Sequence, residues 1–84
     1  MPLYFFNIHN HTGVTIDQEG ADLPDVEAAR ARALDGIRSI LAEEVRGGML
    51  DLRGRIDVID EGRTVAATIR YAEAVAVMPE GAGA

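Results

Sequence analysis

The stretch spanning residues 23–46 most constrains the fold, because its pattern predicts one long amphipathic helix. Asp25 is placed to cap its start, and Glu27 lies in the first turn, where a carboxylate meets the positive end of the helix dipole. Gly47 and Gly48 are expected to end it. Apolar residues recur at steps of mostly three and four, which predicts one buried face. That face comprises Val26, Ala29, Ala33, Ile37, Ile40, Leu41 and Val45, with Leu34 at its margin.

The flanking sequence predicts strands on both sides of this helix. Residues 3–9 alternate as a strand does, and both faces are apolar at residues 3–6, which favours a central position in a sheet. A turn at Gly13 leads to a second strand at residues 14–17, and the polar loop 18–22 reaches the helix. After the helix, residues 55–59 and 65–71 alternate around a turn and predict a second hairpin. Residues 71–77 fit either a continuing strand or a short helix.

A helix with one apolar face needs a sheet to cover it, so the predicted fold is α+β with hairpin–helix–hairpin (ββαββ) order. A small antiparallel sheet of up to four strands carries the helix on one face. One domain is expected over residues 1–77, with a disordered tail at residues 78–84. Leu3, Phe5 and Ile59 should point away from the helix. An isologous dimer would cover them, so we expect a homodimer with these three residues at its interface.

Composition narrows the function. Fourteen acidic against eight basic residues give a net charge of −6, which disfavours nucleic acid and anionic membranes and makes a basic protein partner electrostatically easier. The chain has no cysteine, and its start lacks the basic and apolar regions of a signal peptide. No apolar run approaches the ~20 residues of a membrane span. We therefore expect a soluble cytoplasmic protein.

Few residues suggest a metal-binding or catalytic role. His9 and His11 are two positions apart, which on a strand would put both imidazoles on one face and could begin a metal site. The plainer interpretation makes His9 a partly buried strand residue and His11 a turn residue, so no metal is predicted and these two stay candidates. No carboxylate pair lies in a recognisable cleft pattern, and Ser39 has no nearby base. We therefore predict no catalytic residue and no cofactor, and we expect that the protein is not an enzyme.

Two arginines also invite a functional interpretation. Arg53 and Arg55, with the aromatic residues near the start, resemble the basic and stacking groups of single-strand binders. The net charge opposes that interpretation. Both arginines are flanked by carboxylates, so we expect them to pair with Asp51 and Asp57.

Four separated segments resemble a known family. They are Met-Pro-x-Tyr-Phe-Phe-x-x-His at residues 1–9, Leu-Pro-Asp-x-Glu-Ala-Ala-Arg at 23–30, Gly-x-Leu-Asp-Leu-Arg-Gly-Arg at 48–55, and residues 71–74. Together they resemble a family of small single-domain proteins of unknown function, widespread in alphaproteobacteria. The resemblance implies no assigned activity, cofactor or catalytic residue.

A looser resemblance is to the N-terminal domain of HicB-type antitoxins, which also pass through a Leu-Pro loop, here residues 22–25, into a Glu-Ala-rich helix. Those proteins have a third strand before the helix and often a DNA-binding segment. Neither is predicted here.

The leading hypothesis is a non-catalytic interaction or regulatory module that self-associates through its sheet. An antitoxin-like protein that neutralises a basic ribonuclease is one alternative. A small metal-binding domain using His9 and His11 is the other.

Overall fold

The predicted helix is α1, Val26–Arg46, in a computed structural model that describes residues 1–81. It begins at the predicted cap, because Asp25 Oδ1 accepts a hydrogen bond from the Ala28 N–H at 2.9 Å. It ends at Gly47, and Gly48 follows with a φ of +88°, a conformation that glycine adopts without steric cost. Both predicted ends of the helix are confirmed.

Five strands form one antiparallel sheet around the first of them. They are β1 Leu3–Asn10, β2 Gly13–Thr15, β3 Ala21–Asp22, β4 Arg55–Ile59 and β5 Val65–Arg70. The order is β2-β1-β4-β5, and β3 pairs with the beginning of β1. The predicted α+β class and the central position of β1 are confirmed.

The segment between β1 and α1 differs from the prediction in two ways. The second strand ends at Thr15, which leaves Ile16 and Asp17 outside the ladder. The predicted polar loop contains β3, so the expectation of at most four strands and of no third strand before the helix was wrong. At the end of β2, the Asp17 side chain takes the place of a ladder bond, since Asp17 Oδ2 accepts the Phe6 N–H at 3.1 Å, and β3 forms where Ala21 and Asp22 pair with the beginning of β1.

The second hairpin contains a bulge that its sequence pattern conceals. Val58 lies opposite Ala67, but Ile59 lies opposite Val65, so β5 has one extra residue at this point. Directly opposite residues share a face of the sheet, and Val65 therefore lies on the face of Ile59. The chain then turns into a short helix, α2, Tyr71–Ala74, which decides between the two structures predicted for residues 71–77.

The core lies between α1, α2 and the face of β4 and β5 that α1 covers. Its buried residues are Tyr4, Ala29, Ala33, Ile37, Leu41, Ile56, Val58, Ile69, Tyr71 and Ala74. Four of the predicted helix positions are among them, whereas Val45 is 57% exposed because Leu41 is the last residue of α1 that the core buries. No helix within residues 1–81 is long and apolar enough to cross a membrane. Of the predicted tail, residues 82–84 lie outside the described part of the chain.

Tyr71 and Gly54 make the closest contact in this core. The Tyr71 side chain is fully buried, and its backbone N–H donates to the Gly54 carbonyl at 2.9 Å. Its hydroxyl accepts a hydrogen bond from Asn10 Nδ2 at 3.3 Å. A Cβ atom at residue 54 would lie 2.6 Å from Tyr71 Cε2. The absence of a side chain at Gly54 therefore admits the ring.

Replacing this glycine should therefore destabilise the fold. Gly54→Ala should lower the free energy of unfolding by about 1–3 kcal/mol, because a buried aromatic ring has no room to move away from a new methyl group. Urea denaturation followed by circular dichroism measures this change. Gly62→Ala is the control, since a Cβ there would meet only Asp60 Oδ1 at 3.4 Å. Equal stability of the two variants would contradict the prediction.

Candidate functional site

In the part of the chain that the structure describes, one face of the sheet carries no helix, and the strand register arranges its side chains in rows that cross the strands. Phe5, Ile59 and Val65 lie opposite one another in the first row. The second row contains Asn7, Asp57 and Thr68, and the third contains His9, Arg55 and Arg70. This surface, the open face, therefore changes from apolar to polar to basic along β1.

The first row of the open face is apolar throughout. We name this end of the open face the apolar patch, and it comprises Leu3, Phe5, Ile16, Ile59 and Val65. Phe5, Ile16 and Ile59 line a cavity of about 630 Å³. Ile16 is 57% exposed and Val65 is 52% exposed, so two large apolar side chains of the apolar patch are open to solvent.

The structure brings the predicted interface residues together. Phe5 and Ile59 are directly opposite, and Leu3 lies one step further along the same face of β1. Sequence reasoning missed Ile16 and Val65. Ile16 lies outside the short strand β2, and Val65 reaches this face through the bulge in β5. No sequence signal marks that bulge.

Acidic groups surround the apolar patch. Asp17, Asp60 and Glu61 line its cavity, together with a single cation, Arg63. The Glu61 carboxylate also accepts the backbone N–H of Leu3 at 2.6 Å. The rim of the apolar patch is therefore negatively charged.

The polar row is centred on Asp57, whose side chain is only 16% exposed. Its carboxylate accepts hydrogen bonds from Thr68 Oγ1 at 3.0 Å and from Arg55 Nε at 3.3 Å, and His9 Nε2 lies 3.3 Å away. The predicted pairing of Arg55 with Asp57 is confirmed. The Asp57 carboxylate is thus engaged by three neighbours on the same face.

The two candidate metal ligands have different surroundings. His9 lies beside Asp57 on the open face, whereas His11 follows β1 in the turn, with its Nδ1 atom 3.6 Å from Asp51 and 3.8 Å from Glu44. Both border a cleft of about 400 Å³ that Asn10, Arg53 and Arg55 complete. Within residues 1–81, no three or more His, Asp or Glu side chains are arranged to hold a metal ion. The metal-binding alternative therefore has no supporting geometry in that part of the chain.

Asp51 forms a tight local pair beside this cleft. Arg53 donates to it from Nη2 at 2.8 Å, from Nε at 3.0 Å and from its backbone N–H at 3.0 Å. These bonds hold the pKa of Asp51 well below its usual range, and the same contact raises the pKa of Arg53. The predicted pairing of Arg53 with Asp51 is confirmed, and it leaves Arg53 a poor candidate for binding a phosphate.

Asp17 closes the edge of the sheet next to the apolar patch. Besides the Phe6 N–H, its carboxylate accepts the N–H groups of Glu19 and Gly20, both at 3.1 Å. Partial burial raises the pKa of Asp17, but the three backbone N–H groups and the charge of Arg32 outweigh it, so the pKa lies below its ordinary value. The segment Asp17-Gln18-Glu19-Gly20 fits an Asx turn, and that signal could have identified the role of Asp17 from the sequence.

These elements define a small α+β domain, with one long helix on a five-stranded antiparallel sheet and one uncovered face. Comparison with curated proteins and with solved structures finds no match. The chain belongs to the family described as a domain of unknown function, DUF6894, whose model matches residues 3–72. This confirms the expected family of unknown function over most of the chain. The alphaproteobacterial origin and the HicB likeness stay predictions.

The bonds to Asp17 make the stability of the fold sensitive to pH. Asp17→Asn should be less stable than the parent chain at neutral pH, by about 1–2 kcal/mol, because bonds to a charged acceptor are stronger. A lowered pKa in the folded state gives stability that is complete above the ordinary Asp pKa of about 4 and is lost as the pH falls through the folded-state pKa. The difference between the two chains should therefore shrink in acid.

Urea denaturation at neutral pH and at about pH 3, below the ordinary Asp pKa, measures this difference. Asp22→Asn is a suitable control at the same edge, because the Asp22 side chain forms no hydrogen bond or ion pair within residues 1–81. A difference between parent and Asp17→Asn that stays constant with pH would show that the charge of Asp17 does not stabilise the fold.

Proposed function

We propose that this protein is a non-catalytic interaction module that self-associates through the open face of its sheet. The observation that supports this proposal most strongly is the apolar patch on a face that no helix covers. Phe5 and Ile59 form its centre as a cross-strand pair, and Ile16 and Val65 are more than half exposed beside it. A cytoplasmic location, which the absence of cysteine fits, belongs to the same proposal.

A second copy of the chain is a suitable occupant because a two-fold axis brings the same patch to both sides of the interface. Burying an apolar side chain contributes about 1.5–3 kcal/mol, whereas an exposed ion pair contributes about 0–1 kcal/mol. Apolar contacts should therefore decide how two copies pack. The favoured arrangement places the apolar patch of one copy on that of its partner, with the basic rows outside.

This arrangement has an electrostatic cost that distinguishes it from binding to a basic protein. It brings the acidic rims of two copies together, and each chain carries a net charge of −6. Salt screens such repulsion, so self-association should become stronger as salt is added. Binding of a basic partner, such as the ribonuclease of the antitoxin alternative, should become weaker.

The proposal of a non-catalytic role rests on the polar row. Asp57, its one carboxylate, is held by Thr68, Arg55 and His9. A general base needs an acceptor that can reach a substrate proton. The three contacts instead suit a role in fixing the side chains of the open face.

Ile16→Glu should disrupt the dimer, because it places a carboxylate inside the apolar patch and adds to two acidic rims. We expect the dimer dissociation constant to increase at least about tenfold, the effect of losing one well-packed interface side chain. Sedimentation equilibrium at low and high salt measures this constant. Val45→Glu is the matched control, since both side chains are 57% exposed but Val45 lies on α1.

Three results would contradict the proposal. The parent chain could sediment at the mass of one chain at micromolar concentration. Val45→Glu could dissociate the dimer as strongly as Ile16→Glu does. Association could weaken with salt, which would favour ionic contacts over the apolar patch.

A further inference from the structure

A groove runs between α1 and the sheet on the side opposite the open face. It exists because α1 packs mainly on β4, β5 and α2, so that Tyr4 is the only residue of β1 that is buried on this side. Phe6 and Ile8 of β1 form its floor and are only half-buried, and Ile40 of α1 forms a wall. Its volume is about 400 Å³, within the range of sites that bind small molecules.

Gly36 of α1 gives this groove its width. A glycine within a helix is less stable than an alanine unless the missing side chain makes room for something. A Cβ atom at residue 36 would meet no other atom within 4 Å, so nothing in the fold requires glycine there. A larger side chain at this position would instead occupy the groove.

The mouth of the groove has two opposite charges that do not pair with each other. Arg32 and Asp35 both line it and are three residues apart on α1, a spacing that permits an ion pair. Within residues 1–81, neither forms an ion pair within 4 Å, whereas Arg30, Arg53, Arg55 and Arg70 all do. The Arg32 guanidinium lies over the Phe6 ring, 5.9 Å from its centroid.

A third charge at the groove is already engaged. The Asp17 carboxylate lines the groove and accepts three backbone N–H groups. Three groups therefore remain for a ligand. They are the Arg32 guanidinium, the Asp35 carboxylate and the apolar floor of the groove. A simple anion would gain from Arg32 but be repelled by Asp17 and Asp35, whereas a molecule with both charges satisfies both ends of the mouth.

We propose that this groove binds an apolar α-amino acid in its zwitterionic form. The apolar side chain of the ligand lies on Phe6, Ile8 and Ile40. Its carboxylate pairs with Arg32, and its ammonium group pairs with Asp35. This site is on the opposite side of the sheet from the apolar patch, so it does not depend on self-association.

Titration of the full chain with L-leucine, followed by amide shifts in ¹⁵N-labelled protein, tests the proposal. Saturable shifts are expected at Phe6, Ile8, Gly36 and Ile40. N-acetyl-leucine lacks the ammonium charge and leucinamide lacks the carboxylate. Each should bind about tenfold more weakly, because one charge-assisted hydrogen bond is lost.

Three substitutions separate binding from folding. Gly36→Leu fills the groove and should abolish the leucine shifts while raising the melting temperature, because leucine is a better helix former than glycine. Arg32→Gln should weaken leucine binding about tenfold. Arg46→Gln, in the last turn of α1, is its control and should bind as the parent does.

Each possible result decides for or against the amino-acid site. The proposal is supported if leucine gives saturable shifts that Gly36→Leu removes in a folded chain. It is overturned if leucine gives no saturable shift in the groove, if Gly36→Leu binds as the parent does, or if N-acetyl-leucine and leucinamide both bind as tightly as leucine.

Discussion

The contact between Tyr71 and Gly54 fixes the relation of three segments that are far apart in the chain. The ring of Tyr71 fills the space that a side chain at residue 54 would take, its N–H bonds to the Gly54 carbonyl, and its hydroxyl reaches Asn10 at the end of β1. The entry to β4, the end of β5 and the end of β1 therefore meet at one buried ring. The basic row of the open face lies at this end of β4 and β5, beside the strand ends that Tyr71 joins.

Within residues 1–81, one long helix and the four-residue α2 leave part of a five-stranded sheet uncovered, and both candidate surfaces follow from that. Because α1 lies over β4 and β5, the helix-side face of β1 is left with the groove. Within residues 1–81, the opposite face of the sheet carries no helix and presents the apolar patch, where the backbone at Gly20 lies against the Phe5 ring. Small domains bury a smaller fraction of their surface than large ones, so uncovered apolar surface is expected, and part of it here lies at these two places.

The sequence predicted the elements with strong periodicity and missed those that depend on distant contacts. The helix, its cap at Asp25 and the central strand follow from local pattern and were correct. The two-residue strand β3 exists only because it pairs with β1, and the bulge that turns Val65 to the open face has no local signature. The groove could not be predicted either, since periodicity shows which face of α1 is buried but not which strands it covers.

The position of β1 between two apolar surfaces explains why the first residues of this strand are apolar on both faces. Phe5 points into the apolar patch and Phe6 into the groove, so consecutive aromatic residues serve opposite sides of the sheet. A strand covered on one side only would alternate apolar and polar residues, as β4 does at Asp57. A polar residue at Phe5 would lower the apolar area of the open face, and one at Phe6 would lower that of the groove, where Ile8 would remain. The two surfaces can therefore be altered separately, although they share one strand.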